Sequence, residues 1–211
     1  MKKYKYDIVK YPFKQLIQEA LKVDELDLLH SDSPVFSREK DQSTVLHQRF
    51  YELARTDEFQ YIYRIFLKME IKPLYGENIV YQAIPTFRVS FPNNIAVGEF
   101  HKDKDYRDKN WAEAVMEDNF YLPLTDAYDT NTIWVESYED SGKYSPMNCN
   151  NGEFIQWDGS NLKHGNKINL TGFSRVSFDF RVMPKSSYLP SKKASINTHT
   201  EFKLGGYYSE L

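Results

Sequence analysis

The sequence predicts a mostly β-sheet protein of the jelly-roll or sandwich kind, with helices at its N-terminal end. Apolar residues recur at helical spacing up to Gly76, whereas short runs after Asn78 alternate between apolar and polar residues. Turn-forming clusters such as Asn148-Cys-Asn-Asn-Gly152 separate these runs. Aromatic residues make up 16% of the 211 residues, which suits strands that bury rings.

Three helices are predicted before residue 77. Pro12 opens the first helix, Ser43 caps the second, and Asp57 caps the third, which ends near Pro73 and Gly76. Apolar residues at i, i+3 and i+4 predict one buried face on each helix. These positions are Phe13, Leu16, Ile17, Ala20 and Leu21 in the first, Val45, Leu46, Phe50, Leu53 and Ala54 in the second, and Phe59, Ile62, Ile65, Phe66 and Met69 in the third.

Seven strands are predicted after residue 78. They cover residues 79–84, 87–91, 95–101, 119–124, 132–136, 153–157 and 173–182. The chain is accordingly divided into a helical N-terminal buttress (1–76), a β-sheet core (77–184) and a C-terminal loop or tail (185–211) that is rich in Ser, Lys, Thr and Gly. We expect these segments to form one compact domain, since 211 residues suffice to bury a core.

Composition excludes several classes of partner. The net charge is -3 and no basic strip with interleaved aromatics is present, so neither nucleic acid nor an anionic membrane is expected as a partner. No stretch approaches the length of a membrane span, and the N-terminus lacks the apolar run of a signal peptide. We expect a cytoplasmic monomer or homodimer that acts on a small molecule.

Isolated cysteine and histidine residues carry no predicted chemistry. The single cysteine, Cys149, excludes an intrachain disulfide and has no nearby histidine pattern that would activate it. His30, His47 and His199 also lack a partner pattern. They are expected to be ordinary surface or capped histidines.

The motif His101-Lys-Asp103 is the most informative part of the chain. Side chains two residues apart on an extended strand leave the same face, so His101 and Asp103 can converge on one ion. His164 supplies a third ligand. Two histidines and one carboxylate on one face of Fe(II) leave the other coordination positions open for a chelating cosubstrate and O2. His-x-Asp alone is a weak signal, and its weight comes from the ordered set.

Arg175 and Ser177 follow His164 on one face of a predicted strand. A guanidinium pairs a carboxylate bidentately and a hydroxyl adds a donor, so the two suit the far carboxylate of a 2-oxo acid. Asp179 and Arg181 share this face. An inward Arg181 needs Asp179 or another acid as its partner, because an unpaired buried charge is prohibitive. Alternatively, the strand ends or bulges before Arg181.

This order of residues, His-x-Asp, a long gap, His and then Arg-x-Ser, resembles the Fe(II)/2-oxoglutarate-dependent dioxygenases. It is most similar to the branch of phytanoyl-CoA-hydroxylase-like and streptomycin-biosynthesis-like tailoring hydroxylases, and the likeness covers residues 79–182. The resemblance implies a double-stranded β-helix of the cupin kind, with helices buttressing its major sheet. It also implies Fe(II) as the metal, 2-oxoglutarate as cosubstrate, O2 as oxidant, and hydroxylation of a sugar, aminocyclitol or amino-acid-like molecule.

Three further residues are candidates for the cosubstrate pocket. Asn119 and Tyr121 share the strand face opposite Phe120, where they would donate to the C1 carboxylate of 2-oxoglutarate or line the cavity. Arg88 has the opposite parity to Phe87 and faces either water or the barrel interior, where a surface or ion-paired role competes with cosubstrate binding.

A second class of function stays open. In a non-catalytic or isomerase-type cupin-like sugar-binding barrel, His101, Asp103 and His164 would hold a structural metal or none. Arg175 and Ser177 discriminate between the two classes, because a barrel that binds no 2-oxo acid has little use for a bidentate anchor there. Asp103 argues against a halogenase, which replaces this carboxylate with a small residue. Acidic and aromatic residues expected at the mouth would favour a hydroxylated or cationic substrate, namely Glu99, Asp105, Tyr106, Asp126 and Tyr128.

Overall fold

The structure, a computed structural model, describes residues 1–31, 43–94, 99–107, 109–195 and 200–211. The strands in these ranges are β1 (Lys2–Lys5), β2 (Ile79–Gln82), β3 (Thr86–Ser90), β4 (Asp118–Pro123), β5 (Ile133–Glu136), β6 (Tyr144–Pro146), β7 (Glu153–Trp157), β8 (His164–Asn166), β9 (Arg175–Pro184) and β10 (Tyr208–Glu210). The α-helices are α1 (Phe13–Leu21), α2 (Val45–Leu53), α3 (Asp57–Phe66) and α4 (Lys109–Ala114).

The strands form two antiparallel sheets. The larger sheet has the order β1-β7-β4-β9-β2-β10, and β3 also pairs with β9. The smaller sheet has the order β6-β5-β8. The sheets pack together through Tyr121, Ile155 and Trp157 of the larger sheet and Val135 of the smaller one. The interior of the barrel lies between them.

Helices α1, α2 and α3 cover the other face of the larger sheet. Their rings pack on β9, with Phe13 at 5.2 Å and Phe59 at 6.3 Å from Phe178 between ring centroids. Phe50 stacks on Phe87 of β3 at 4.4 Å. These contacts follow from the predicted apolar stripes, which bury one face of each helix against the sheet.

Both predicted capping residues are wrong by one position. Thr44, not Ser43, precedes α2, and it makes no side-chain cap hydrogen bond. Thr56, not Asp57, caps α3 by accepting a hydrogen bond from the backbone N–H of Phe59. Asp57 instead lies in the first turn, where its charge complements the helix dipole.

Two predicted core positions are exposed. Val45 opens α2 and is 46% exposed, because it lies at the first helical position. Met69 is 52% exposed because α3 continues as a π-helical segment, Leu67–Ile71, whose wider turn moves Met69 off the buried face. Leu67 and Ile71 are buried in its place.

Six of the seven predicted strands are present within two residues of their predicted bounds. Residues 95–98 of the strand predicted at 95–101 lie outside the described ranges. In the described part, residues 99–101, the prediction is wrong, because His101 forms only an isolated bridge with His164. Asp103 then begins a 3-10 turn, Asp103–Tyr106. The chain bends here because the backbone N–H of Asp103 bonds to the carbonyl of Gly159.

Both ends of the chain contribute strands to the larger sheet. Within the predicted helical buttress, β1 pairs with β7. Within 185–211, predicted as a loop or tail, β10 pairs with β2. Although its composition is polar, that segment contains two aromatic residues, Phe202 and Tyr208, that are buried in one cluster with Trp111 of α4.

His47 is the exception among the isolated histidines. It is 2% exposed, and its Nδ1 lies 2.8 Å from Oγ1 of Thr44. His30 is only partly buried and its Nδ1 lies 2.8 Å from Oγ of Ser174, whereas His199 lies outside the described residues. Within the described ranges, every helix is too short or too polar to serve as a membrane-spanning segment.

Candidate active site

His101, Asp103 and His164 meet at one end of the barrel interior. Nε2 of His101 lies 3.5 Å, and Nε2 of His164 lies 3.6 Å, from Oδ1 of Asp103. One potential ligand atom from each residue falls within 4.8 Å of the others. A single ion placed among these atoms would therefore reach all three.

Reciprocal backbone hydrogen bonds hold the two histidines side by side. The N–H of each residue donates to the carbonyl of the other at 2.9 Å, which extends the smaller sheet by one bridge beside β8. Asp103 approaches from the 3-10 turn, so the expectation of one extended strand carrying His101 and Asp103 is wrong. The two side chains nevertheless converge, because the turn folds Asp103 back toward β8.

A backbone carbonyl fixes the orientation of each imidazole. Nδ1 of His101 lies 2.9 Å from the carbonyl oxygen of Glu99, and Nδ1 of His164 lies 3.0 Å from that of Leu162. Because a carbonyl only accepts, each Nδ1 carries the proton and donates. Each Nε2 then presents its lone pair to the cluster, as metal-ligating histidines do.

Two donors occupy the outer oxygen of Asp103. Oδ2 accepts from Nδ2 of Asn119 at 2.8 Å and from Nη2 of Arg181 at 3.0 Å. Oδ1 is left to face the imidazoles. Gly159 makes room for this arrangement, since a Cβ there would lie 2.5 Å from Nδ2 of Asn119.

The electrostatics of the cluster favour a carboxylate beside a neutral imidazole. Burial alone would raise the pKa of Asp103, but Arg181 and the imidazoles hold that pKa well below its usual range. Burial lowers the pKa of His164 to about 4. Burial also opposes protonation of His101, yet the protonated ring would donate to Asp103 as well as to the Glu99 carbonyl, which raises the His101 pKa overall. The neutral ring keeps its proton on Nδ1 and leaves the Nε2 lone pair for a metal. A carboxylate and neutral imidazoles are the forms that bind metal.

The cluster opens into a cavity between the two sheets. It is lined by three arginines, Arg88, Arg175 and Arg181, together with His101, Asn119, Ile133, Trp157, His164, Gly165, Asn166 and Asp179. The larger sheet thus brings most of the predicted cosubstrate residues to one space. Ser177 and Tyr121 are not among the lining residues. Ser177 accepts a hydrogen bond from Arg175, and Tyr121 is fully buried in the contact between the two sheets.

Arg175 is a buried cation without a carboxylate partner among the described residues. It is 1% exposed. Its Nε donates to the carbonyl of Asn131 at 3.0 Å, Nη1 to Oγ of Ser177 at 2.9 Å, and Nη2 to Oδ1 of Asn166 at 3.0 Å. All three acceptors are neutral, so its charge is oriented but not compensated.

Arg181 and Arg88, in contrast, belong to a chain of ion pairs. Arg181 donates from Nη1 to Asp179 at 2.6 Å and from Nη2 to Asp103 at 3.0 Å. Asp179 also pairs with Nε of Arg88 at 3.0 Å. Arg88 therefore faces the barrel interior in an ion pair, and Arg181 has the acidic partners that an inward position requires.

Sequence comparison identifies the family. The chain is 38% identical over 210 residues to the streptomycin biosynthesis protein StrG of Streptomyces griseus, and the match covers 98% of this chain and 96% of StrG. The chain belongs to the StrG family. A scan against models of protein families finds no match.

Solved structures similar to this StrG-family chain share its fold. The non-heme alpha-ketoglutarate-dependent carbocyclase SnoK from nogalamycin biosynthesis superposes with a TM-score of 0.59 at 10% identity, over 97% of this chain and 88% of SnoK. EctD from S. alaskensis with bound Fe gives 0.51 at 14% identity, over 88% and 72%. These likenesses confirm the mostly β, cupin-like jelly roll buttressed by helices, and the StrG match confirms the predicted resemblance to streptomycin-biosynthesis-like proteins.

Sequence reasoning missed three groups that shape the site of this StrG-family protein. Asn166, which accepts from Arg175, lies two residues after His164, and that shared strand parity was a usable signal. The carbonyl of Asn131 was not predictable, because every residue carries one. Gly159 likewise has no sequence signature beyond its place in an Asp-Gly turn.

The residues expected at the mouth do not form one surface. Tyr106 packs edge-on against His101, with ring centroids 5.3 Å apart. Asp126 and Tyr128 line a separate groove together with Lys14. The prediction of an acidic mouth that favours a cationic substrate is therefore not supported for these two residues.

Proposed function

We propose that this protein is an Fe(II)- and 2-oxoglutarate-dependent oxygenase that hydroxylates a C–H bond of a small polar molecule in a biosynthetic pathway. The observation that carries the proposal is Arg175, a buried guanidinium with only neutral partners that lines the same cavity as the histidine and aspartate cluster. Burying an uncompensated charge is costly. A dicarboxylate that reaches from the cluster to Arg175 would neutralise it.

The donor set fits Fe(II). Nε2 of His101, Nε2 of His164 and Oδ1 of Asp103 would hold the ion on one face, with two nitrogens and one oxygen as ligands. When bound, Fe(II) supplies the redox chemistry with O2 that a protein side chain cannot provide. Asn119 and Arg181 orient the carboxylate by occupying Oδ2.

Arg175 and Ser177 would anchor the C5 carboxylate of 2-oxoglutarate. The guanidinium is already held by three acceptors, so little conformational freedom is lost when a carboxylate binds. The Tyr121 hydroxyl is buried beside Thr132 and Ser177, where it would add a donor for the same carboxylate. We assign Asn119 to orienting Asp103 rather than to the C1 carboxylate, since its Nδ2 is already engaged.

A small-molecule substrate is supported by the name of the StrG relative, which places that protein in streptomycin biosynthesis. We also propose that the chain works as one compact domain, in which residues 77–184 form the catalytic core. A non-catalytic cupin-like barrel is the less favoured alternative, because it would bind no carboxylate that neutralises the buried charge of Arg175.

The test is an anaerobic titration of the full chain with Fe(II) and 2-oxoglutarate. A weak visible metal-to-ligand charge-transfer band should form in the parent protein and be absent from His101→Ala. Admission of O2 should then release succinate, which a candidate substrate accelerates while gaining one oxygen in mass. A chain that forms neither band nor succinate contradicts the proposal.

A further inference from the structure

Among the described residues that line the cavity, Arg88 is the one arginine with a buried side-chain nitrogen that makes no hydrogen bond. Its Nε donates to Asp179, but its Nη1 is buried and has no hydrogen-bond partner. Arg181 uses both terminal nitrogens on Asp179 and Asp103, and Arg175 uses all three of its nitrogens on neutral acceptors. A buried N–H without a partner is costly. We therefore expect Nη1 to donate a hydrogen bond to a ligand when one binds.

The charges around the cavity give the sign of that ligand. Among the described residues, three arginines face two carboxylates, Asp103 and Asp179, which leaves one positive charge in excess. Without ligands this excess belongs to Arg175, because Arg88, Arg181, Asp179 and Asp103 together carry no net charge. In the loaded site the C5 carboxylate of 2-oxoglutarate would neutralise Arg175, and Fe(II) with the C1 carboxylate would leave one positive charge beside His101. Arg107 and Glu117 nearby form a separate pair at 3.0 Å and do not alter the balance.

We infer that the substrate carries an anionic group, a carboxylate or a phosphate ester, and that Arg88 recognises it through Nη1. This deepens the proposed function and rests on it for the nature of the cavity. A guanidinium presents its donors on more than one edge, so Arg88 can keep Asp179 on Nε while an anion binds at the terminal nitrogen. Arg88 is thereby assigned to the substrate rather than to the cosubstrate.

The position of Arg88 suits this role. It lies on β3 directly opposite Ser177 of β9, whose hydroxyl accepts a hydrogen bond from Arg175. A substrate anchored there would share the cavity with the cosubstrate and with His101.

Arg88→Gln is the variant that tests the inference. Glutamine can still donate to Asp179, and Asp179 keeps Arg181 at 2.6 Å, so no buried carboxylate loses its last partner. Arg88→Lys retains the charge, and Arg55→Gln, which alters an exposed arginine, serves as the matched control. Circular dichroism and thermal unfolding establish that each variant is folded.

The probes are glucose, glucose 6-phosphate, glucuronate and sulfate, titrated anaerobically into the Fe(II) and 2-oxoglutarate complex. Their dissociation constants are read from perturbation of the charge-transfer band, and loss of the band marks displacement of 2-oxoglutarate instead. At least one anionic sugar should bind about tenfold or more tightly than glucose, a preference lost in Arg88→Gln and partly kept in Arg88→Lys. The phosphate and carboxylate probes distinguish the two kinds of anion.

Equal binding of the neutral and anionic sugars, or a preference unchanged in Arg88→Gln, overturns the inference while the band upholds the proposed function. If the parent protein forms neither band nor succinate, the proposed function fails. The anion preference is then read by tryptophan fluorescence in the metal-free chain, because Trp157 lines the cavity. There too, loss of the preference in Arg88→Gln supports the inference and its persistence overturns it.

Discussion

The two faces of β9 are built from opposite kinds of residue. Toward the helices the strand presents Val176, Phe178, Phe180 and Val182, all fully buried among aromatic rings. Toward the barrel interior it presents Arg175, Ser177, Asp179 and Arg181, which are also buried. The two faces therefore differ in the polarity of their side chains rather than in burial.

This difference separates stability from function within one strand. The helix-facing side is apolar and well packed, so it contributes favourable burial to folding. The interior side holds charges whose desolvation offsets much of what their pairing returns, so it contributes little or opposes folding. Residues that violate the rule of an apolar core are expected where a ligand binds.

Phe178→Ala should have the largest effect and should act on stability. The ring is fully buried against Phe13, Phe50 and Phe59, and its loss leaves a cavity that costs about 3 to 5 kcal/mol of unfolding free energy. Urea denaturation measures the loss, with Tyr61→Ala as the control because Tyr61 is 68% exposed. Equal losses in both variants would show that the aromatic face is not the stabilising one.

Arg175→Met should act mainly on cosubstrate binding rather than on stability. Methionine fills similar space and removes a buried charge, but the three acceptors of Arg175 lose their donor. These effects oppose each other, so we expect a smaller change in unfolding free energy than in Phe178→Ala. The affinity for 2-oxoglutarate should fall by about 2 to 5 kcal/mol, measured from the charge-transfer band at saturating Fe(II). Arg55→Met is the exposed control. An unchanged 2-oxoglutarate affinity would remove Arg175 from the cosubstrate site.

The two faces of β9 could be predicted from the sequence because strand alternation is strict. The order His101, Asp103, His164 and Arg175 was enough to indicate the interior cluster. The backbone that delivers Asp103 was not predictable, since a 3-10 turn anchored to Gly159 depends on a contact far away in sequence. Short strands such as β1 were missed because a few mostly polar residues give no periodic signal.

Gly159→Ala tests how finely the interior face is positioned. The new Cβ would lie 2.5 Å from Nδ2 of Asn119 and would push that side chain away from Asp103. Disturbing a partner of a metal ligand typically lowers metal affinity about 10- to 100-fold. Titration with Fe(II) or Co(II) measures this, and Gly172→Ala is the control because nothing lies within 4 Å of a Cβ there. Matching affinities in the two variants would show that Asn119 does not hold Asp103 for the metal.

The smallest expected effect couples the two faces through β3. His47 is buried against Phe87 on the helix side, and burial, with a smaller contribution from the charge of Arg88 on the interior side, lowers its pKa to about 4. An unfolded histidine takes up a proton near pH 6.5, whereas the folded one resists until about pH 4. The stabilisation is therefore complete above pH 6.5 and is lost as the pH falls toward 4, about 1 to 2 kcal/mol of it between pH 7 and 5. Urea unfolding of the parent and of His47→Gln at both pH values isolates this contribution, because all other groups titrate alike in the two proteins. A pH dependence that is the same in both would mean that His47 takes up its proton as readily in the folded chain as in the unfolded one.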